Sequence, residues 1–145
     1  MAGKKKATGI KRTRGEIPLR QTVVDDFVII PKNNDLLLLT IIIGDIDQTG
    51  SSRIELIDDT EFGVERINGS FYNLAIEKCK HLDGKSLLIT TSVSDTNNNT
   101  DNNRTEVTLK LFAGEKVLYV KKLQSDVRSE GDTENYVFNI RLYVF

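Results

Sequence analysis

Residues 36–43, LLLLTIII, constrain this chain more than any other stretch: seven apolar side chains and one threonine, closed off by Asp35 before and Gly44–Asp45 after. Eight strand residues at about 3.3 Å each reach ~26 Å, close to the thickness of a bilayer's hydrocarbon, but a lone strand cannot satisfy its backbone in lipid. A membrane role is therefore set aside. A strand apolar on both faces either lies centrally, covered on both sides, or turns one face to another subunit. In a two-layer sandwich each sheet has only one covered face. The outward half of the run then needs a neighbouring chain or the protein's own N-terminal arm over it, which makes Leu36, Leu37, Leu38, Leu39, Ile41, Ile42 and Ile43 interface candidates until the inward parity is known.

The rest of the chain repeats this pattern in milder form. TVVDDFVII precedes the run across PKNND and reads as its hairpin partner, and SRIELI, SLLITTSV, TEVTLKLF, KVLYVKKL and NYVFNIRLYVF follow, separated by turn-forming clusters. In TEVTLKLF, Val107, Leu109 and Leu111 alternate with Thr108 and Lys110, the period of a half-buried strand. Seven strands of this kind predict an all-β fold, a single antiparallel β-sandwich of jelly-roll or Ig-like type. SFYNLAIEKCKHLDGK is ambiguous: Phe71, Leu74, Ala75, Cys79 and Leu82 form a helical stripe after Ser70, while Tyr72, Leu74 and Ile76 alternate, and a strand running into a short turn is the reading we favour. SDTNNNTDNNRT, with five asparagines, is a solvated connection.

Charge divides the chain at residue 20. Lys4, Lys5, Lys6, Lys11, Arg12, Arg14 and Arg20 against Glu16 give residues 1–20 a charge of +6, and the 13 basic and 20 acidic residues of 21–145 give −7. The first segment has no hydrophobic periodicity and too little apolar surface to offset the entropy of ordering, so it is expected to be an extended basic arm before the sandwich domain of 21–145. No apolar stretch follows its cations, so export through a signal peptide is not expected. Mobile lysines and arginines neutralise phosphate or acidic protein surface, which makes the seven cations candidate anchors on other subunits or, non-specifically, on nucleic acid. The arm has no aromatic side chain to stack on bases.

No arrangement for catalysis emerges. One cysteine, Cys79, excludes an internal disulfide, and with the single His81 it leaves too few soft ligands for zinc. Cys79 and His81 lack a third group to orient the imidazole. DGKS at 83–86 has Cys79 where a phosphate loop needs its first glycine, and a strand where a helix should start. GDIDQTGSSRIEL offers Asp45, Asp47 and Glu55 as a weak calcium set, but Leu56 occupies the bidentate position and an acidic turn is the simpler reading. We expect no enzyme, no cofactor and no metal.

LAIEKCKHLDGKSLLITTSVSDT, residues 74–96, resembles a pattern in small jelly-roll virion proteins of tailed phages, of the capsid auxiliary, decoration or head-fibre type, and in related carbohydrate-binding modules. The resemblance implies that Ile76 and Glu77 end one strand, Leu82 plugs the core, Gly84 makes the turn, and Leu87, Ile89 and Thr91 line one face of the next strand. It implies a structural protein of a virus particle, a minor or auxiliary capsid or capsid-decorating protein made in the host cytoplasm. Its partners would be the major capsid protein or neighbouring copies, with homo-oligomerisation through the sandwich. The alternative it carries is a carbohydrate-binding or adhesion module, to be favoured if Tyr72, Tyr119, Tyr136 and Tyr143 gather on one face. A third reading is a nucleic-acid-associated protein acting through the arm.

Overall fold

The structure, a computed structural model, describes residues 20–44, 48–59, 62–95, 104–126 and 133–145. Nine strands are described: β1 (Arg20–Ile30), β2 (Leu36–Ile43), β3 (Gln48–Ile57), β4 (Val64–Asn68), β5 (Phe71–Lys78), β6 (Ser86–Asp95), β7 (Arg104–Ala113), β8 (Lys116–Asp126) and β9 (Thr133–Val144). A 3-10 turn, Cys79–His81, follows β5. The strands form two sheets, ordered β1-β9-β6-β3-β4 and β5-β2-β7-β8.

Alternation along the strands builds one core between the sheets. Leu37, Leu39, Ile41 and Ile43 of β2 and Val107, Leu109 and Leu111 of β7 face Ile54, Leu87, Ile89, Phe138 and Ile140 of the five-stranded sheet, all buried in a single cluster. At one end this core becomes polar. Ser52, Thr91 and Tyr136 are cross-strand neighbours in one row. Ser52 and Thr91 share a 2.8 Å hydroxyl bond, and Tyr136 Oη donates to the Thr105 carbonyl of the opposite sheet at 3.1 Å while sharing a 2.7 Å bond with its hydroxyl. Hydroxyls enter a dry interior only with partners, and the Tyr136–Thr105 pair ties the two sheets. A second tie runs through Gln48, whose amide donates to the Arg104 carbonyl at 2.6 Å and accepts from the Glu106 N–H at 3.0 Å. Close approach at Gly50 is obligatory, because a Cβ there would lie 2.4 Å from the Ser92 carbonyl oxygen.

Three expectations are corrected. The stretches TVVDDFVII and LLLLTIII do not form a hairpin: PKNND carries the chain from one sheet to the other, so β1 and β2 lie in different layers. Left without a sequence neighbour, β1 pairs in parallel with the last strand, β9, from Arg20↔Glu134 to Ile30↔Val144, so the arrangement is mixed and not purely antiparallel. The physical reason is that β9 needs a partner on its open side, and the ends lock there: Phe145 N–H bonds the Ile30 carbonyl and Lys32 N–H bonds the Phe145 carbonyl, both at 3.0 Å. Finally, the described residues form nine strands against the seven expected: the charged stretch VERIN pairs with β3 as β4, which the sequence does not predict, while the ambiguous segment begins as strand β5, in agreement with the favoured reading. That segment then turns at Cys79–His81.

Candidate functional site

The threonine that interrupts LLLLTIII explains how β2 is held. Thr40 points outward with the even-numbered residues yet is buried, because its Oγ1 accepts the Asn73 N–H at 3.0 Å where the β2–β5 register slips between Leu39 and Ile41. Asn73 takes a positive φ of 57° at that slip, a conformation asparagine tolerates better than most residues. The parity of β2 is thereby fixed. Leu37, Leu39, Ile41 and Ile43 belong to the core, and of the seven interface candidates only Leu36, Leu38 and Ile42 face away from it.

Those three join an apolar surface that reasoning on β2 alone did not reach. Ala75, Leu38, Phe112 and Val117 are cross-strand partners in one row spanning all four strands. Val120 stands opposite Lys110, itself opposite Thr40, and Ile42 is opposite Thr108. Leu36, Val117 and Val120 are 43, 54 and 53% exposed, and Leu38, Ile42 and Phe112 are half-buried. Lys78, Lys110 and Lys122 stand among them, with Glu106 held by Lys122 at 3.4 Å and by the Gln124 amide at 2.7 Å. A signal was present in the sequence: Phe112 breaks the alternation of TEVTLKLF, putting an apolar residue on both sides of that strand.

The open side between β1 and β8 is differently made. Asp26 shares the inward parity of Val28 and Ile30 at the sheet edge, and accepts a 2.8 Å hydrogen bond from Tyr119 Oη of the other sheet. That bond is the first cause holding the Asp26 carboxyl below its ordinary value, helped by the Phe27 N–H and the nearby Lys121. Burial pushes the Tyr119 hydroxyl upward, and Asp26 adds to the shift. An inward-pointing charge on an edge strand is a known obstacle to the addition of another strand, and it stands here on an edge whose Val23, Phe27 and Ile29 are exposed.

The remaining candidates are dispersed. Cys79 is fully buried and its thiol is raised by that burial first and by Asp35 second, the reverse of what activates a nucleophile. His81 lies outside, 3.5 Å from Glu77. Glu55 is bound by Arg53, while Asp45 and Asp47 lie outside the described residues; no cluster of metal-ligating side chains occurs among the described residues. Lys85 of DGKS is engaged by the Asp59 carboxylate and the Asp58 carbonyl, and Ser86 begins a strand. Lys4, Lys5, Lys6, Lys11, Arg12 and Arg14 also lie outside the described residues, and Arg20 contributes the first backbone position of β1. Around the turn of residues 74–96, Ile76 and Glu77 close β5, Leu82 is fully buried, Gly84 takes a φ of 80°, and Leu87, Ile89 and Thr91 line the inner face of β6.

The four tyrosines do not gather. Tyr136 is in the core, Tyr119 bridges the sheets, Tyr72 is exposed on β5, and Tyr143 packs edge-on against Phe27 at 6.1 Å on the outside of the five-stranded sheet. No described helix is long and apolar enough to cross a membrane. Comparison with family models, with curated proteins and with solved structures returns no match.

Proposed function

We propose that this chain is a non-enzymatic structural protein of a virus particle, of the phage minor or auxiliary capsid or capsid-decorating kind, that docks through the outward face of its four-stranded sheet. The observation that carries the reading is the apolar row Ala75–Leu38–Phe112–Val117 with Leu36 and Val120 beside it. A sheet face with such an apolar row is what a protein keeps for an interface, since a monomer gains nothing by showing it to water. The lysines among those residues select a neighbour with an acidic rim, such as an adjacent capsid subunit or the acidic part of another copy. The basic arm, Lys4 to Arg20, adds a salt-sensitive anchor on the same assembly. The product is made in the host cytoplasm and ends in the particle.

The finer fold assignment follows the same reading. Two sheets around one core suit a β-sandwich, and the parallel β1–β9 pair favours an Ig-like over a jelly-roll arrangement, because a jelly roll is assembled from antiparallel Greek keys. The test is quantitative mass spectrometry of purified particles from the source. A fixed copy number per particle supports the proposal; absence from particles that carry the rest of the virion proteins refutes it.

A carbohydrate-binding or adhesion role is the second reading. One observation favours it: Phe27 and Tyr143 flank Asp25, Asn139 and Arg141 in an open depression of about 450 Å³, with Asn139 Nδ2 donating to Asp25 Oδ1 at 3.2 Å. The dispersal of the tyrosines weighs against it.

A further inference from the structure

A second depression on the same five-stranded sheet has a chemistry of its own. It measures about 460 Å³, and Ser51, Arg53, Arg66, Asn68, Thr90 and Ser92 supply its polar lining. Arg53 and Arg66 are direct cross-strand partners on β3 and β4, and Thr90 is the partner of Arg53 on its other side. Like charges placed directly opposite one another destabilise a sheet, and here the ladder from Ser51↔Asn68 to Glu55↔Val64 fixes them in that relation. Glu55 pairs with Arg53, and no acidic side chain among the described residues pairs with Arg66, so the trio keeps one positive charge. No acid and no aromatic ring lines the depression.

We infer that this depression binds a single anionic group carried on a polyhydroxylated molecule, the carboxylate of an acidic saccharide. Arg66 offers a planar fork of donors matched to a carboxylate, and its neighbour Arg53 is held by Glu55 in a place to share the charge. The hydroxyls of Ser51 and Thr90 and the amide of Asn68 flank this fork as donors and acceptors for sugar hydroxyls. Single-stranded nucleic acid is disfavoured, because its bases need aromatic platforms that the depression lacks. The inference is independent of the assembly proposal, which rests on the opposite face of the molecule.

The experiment is a titration of the ¹⁵N-labelled full chain, followed by its amide spectrum, with trigalacturonate, maltotriose and sodium sulfate in turn. Trigalacturonate should shift the amides of Arg53, Arg66, Asn68 and Thr90 saturably, sulfate should do so at least ~tenfold more weakly, and maltotriose should leave them in place. Arg66→Gln, exposed and outside the core, should keep a folded spectrum and weaken trigalacturonate at least ~tenfold, with Arg66→Lys between the two because it keeps the charge and loses the fork. Absence of saturable shifts, equal affinity for sulfate or maltotriose, or unchanged binding by Arg66→Gln would each overturn the inference.

Discussion

Across the five-stranded sheet the outward row Gln21–Asn135–Ser92–Ser51–Asn68 is amide and hydroxyl from edge to edge, whereas across the four-stranded sheet the outward row Ala75–Leu38–Phe112–Val117 is apolar from edge to edge. Both rows sit on sheets whose other faces pack on the same core, so folding alone does not require the difference. The first row is closed by Ser92 donating to Asn135, and the next outward pair, Ser94 and Thr133, shares a 2.6 Å bond. The second is left without such closure. The contrast teaches that the chain's apolar residues are divided between a core that both sheets share and outward positions, which in the four-stranded sheet form a row across all its strands and in the five-stranded sheet gather on the edge strand β1, at Val23, Phe27 and Ile29.

Substitutions can break this comparison, beginning with the core. Leu37→Ser with Leu39→Ser removes two fully buried side chains, at about 2 to 5 kcal/mol each, and should unfold a domain whose total stability is of the order of 5 to 15 kcal/mol. The adjacent pair Leu36→Ser with Leu38→Ser should lower the urea midpoint by far less, about 1 kcal/mol or under per site. Equal losses in the two pairs would erase the distinction between core and outward face.

Next in size is the inter-sheet tie. Tyr136→Phe leaves the Thr105 hydroxyl with its 3.3 Å contact to the Ser125 carbonyl and should cost about 1 to 2 kcal/mol in denaturant melts. At the open side, Tyr119→Phe sharpens the electrostatic part. The Asp26 carboxyl is held below 3.8 in the folded protein, so its contribution is present above that pH and is lost as pH falls through the lower folded value. Without the Tyr119 hydroxyl the acid limb of the stability profile should flatten below about pH 4, and an unchanged limb would remove Asp26 from the account. Smallest of all, Val117→Asp with Val120→Asp should change the stability of the isolated chain by no more than ~0.5 kcal/mol per site, since both side chains are half in water already.

Much of this was legible in the residues. The alternation of Val107, Leu109 and Leu111 marked them as one face of a strand, and LLLLTIII showed apolar residues on both faces of another. What could not be read was pairing between strands far apart in sequence. Nothing in RQTVVDDFVII indicates that it pairs with a strand beginning 103 residues after its last member and not with its neighbour, because the choice of a strand partner far along the chain is made by tertiary packing and leaves no local pattern. The five residues of VERIN carry two charges and are not among the strands the sequence predicts, although Gly63 and Gly69 bracket them. The role of Thr40 was hidden for a similar reason: its partner, the Asn73 N–H, is freed only by a register slip. The candidate surface was half legible, through Leu36, Leu38 and Ile42. Its other half, Phe112, Val117 and Val120, became visible only when β7 and β8 were laid beside β2.

The central claim, that the outward face of the four-stranded sheet is a docking surface, is tested most directly by the copy number of this chain per purified particle, for the natural sequence and for Val117→Asp with Val120→Asp. The account predicts a fixed copy number for the first and at least a ~tenfold reduction for the second, because two carboxylates would replace the apolar contact without unfolding the domain. Incorporation of the doubly substituted chain at the natural copy number would contradict it.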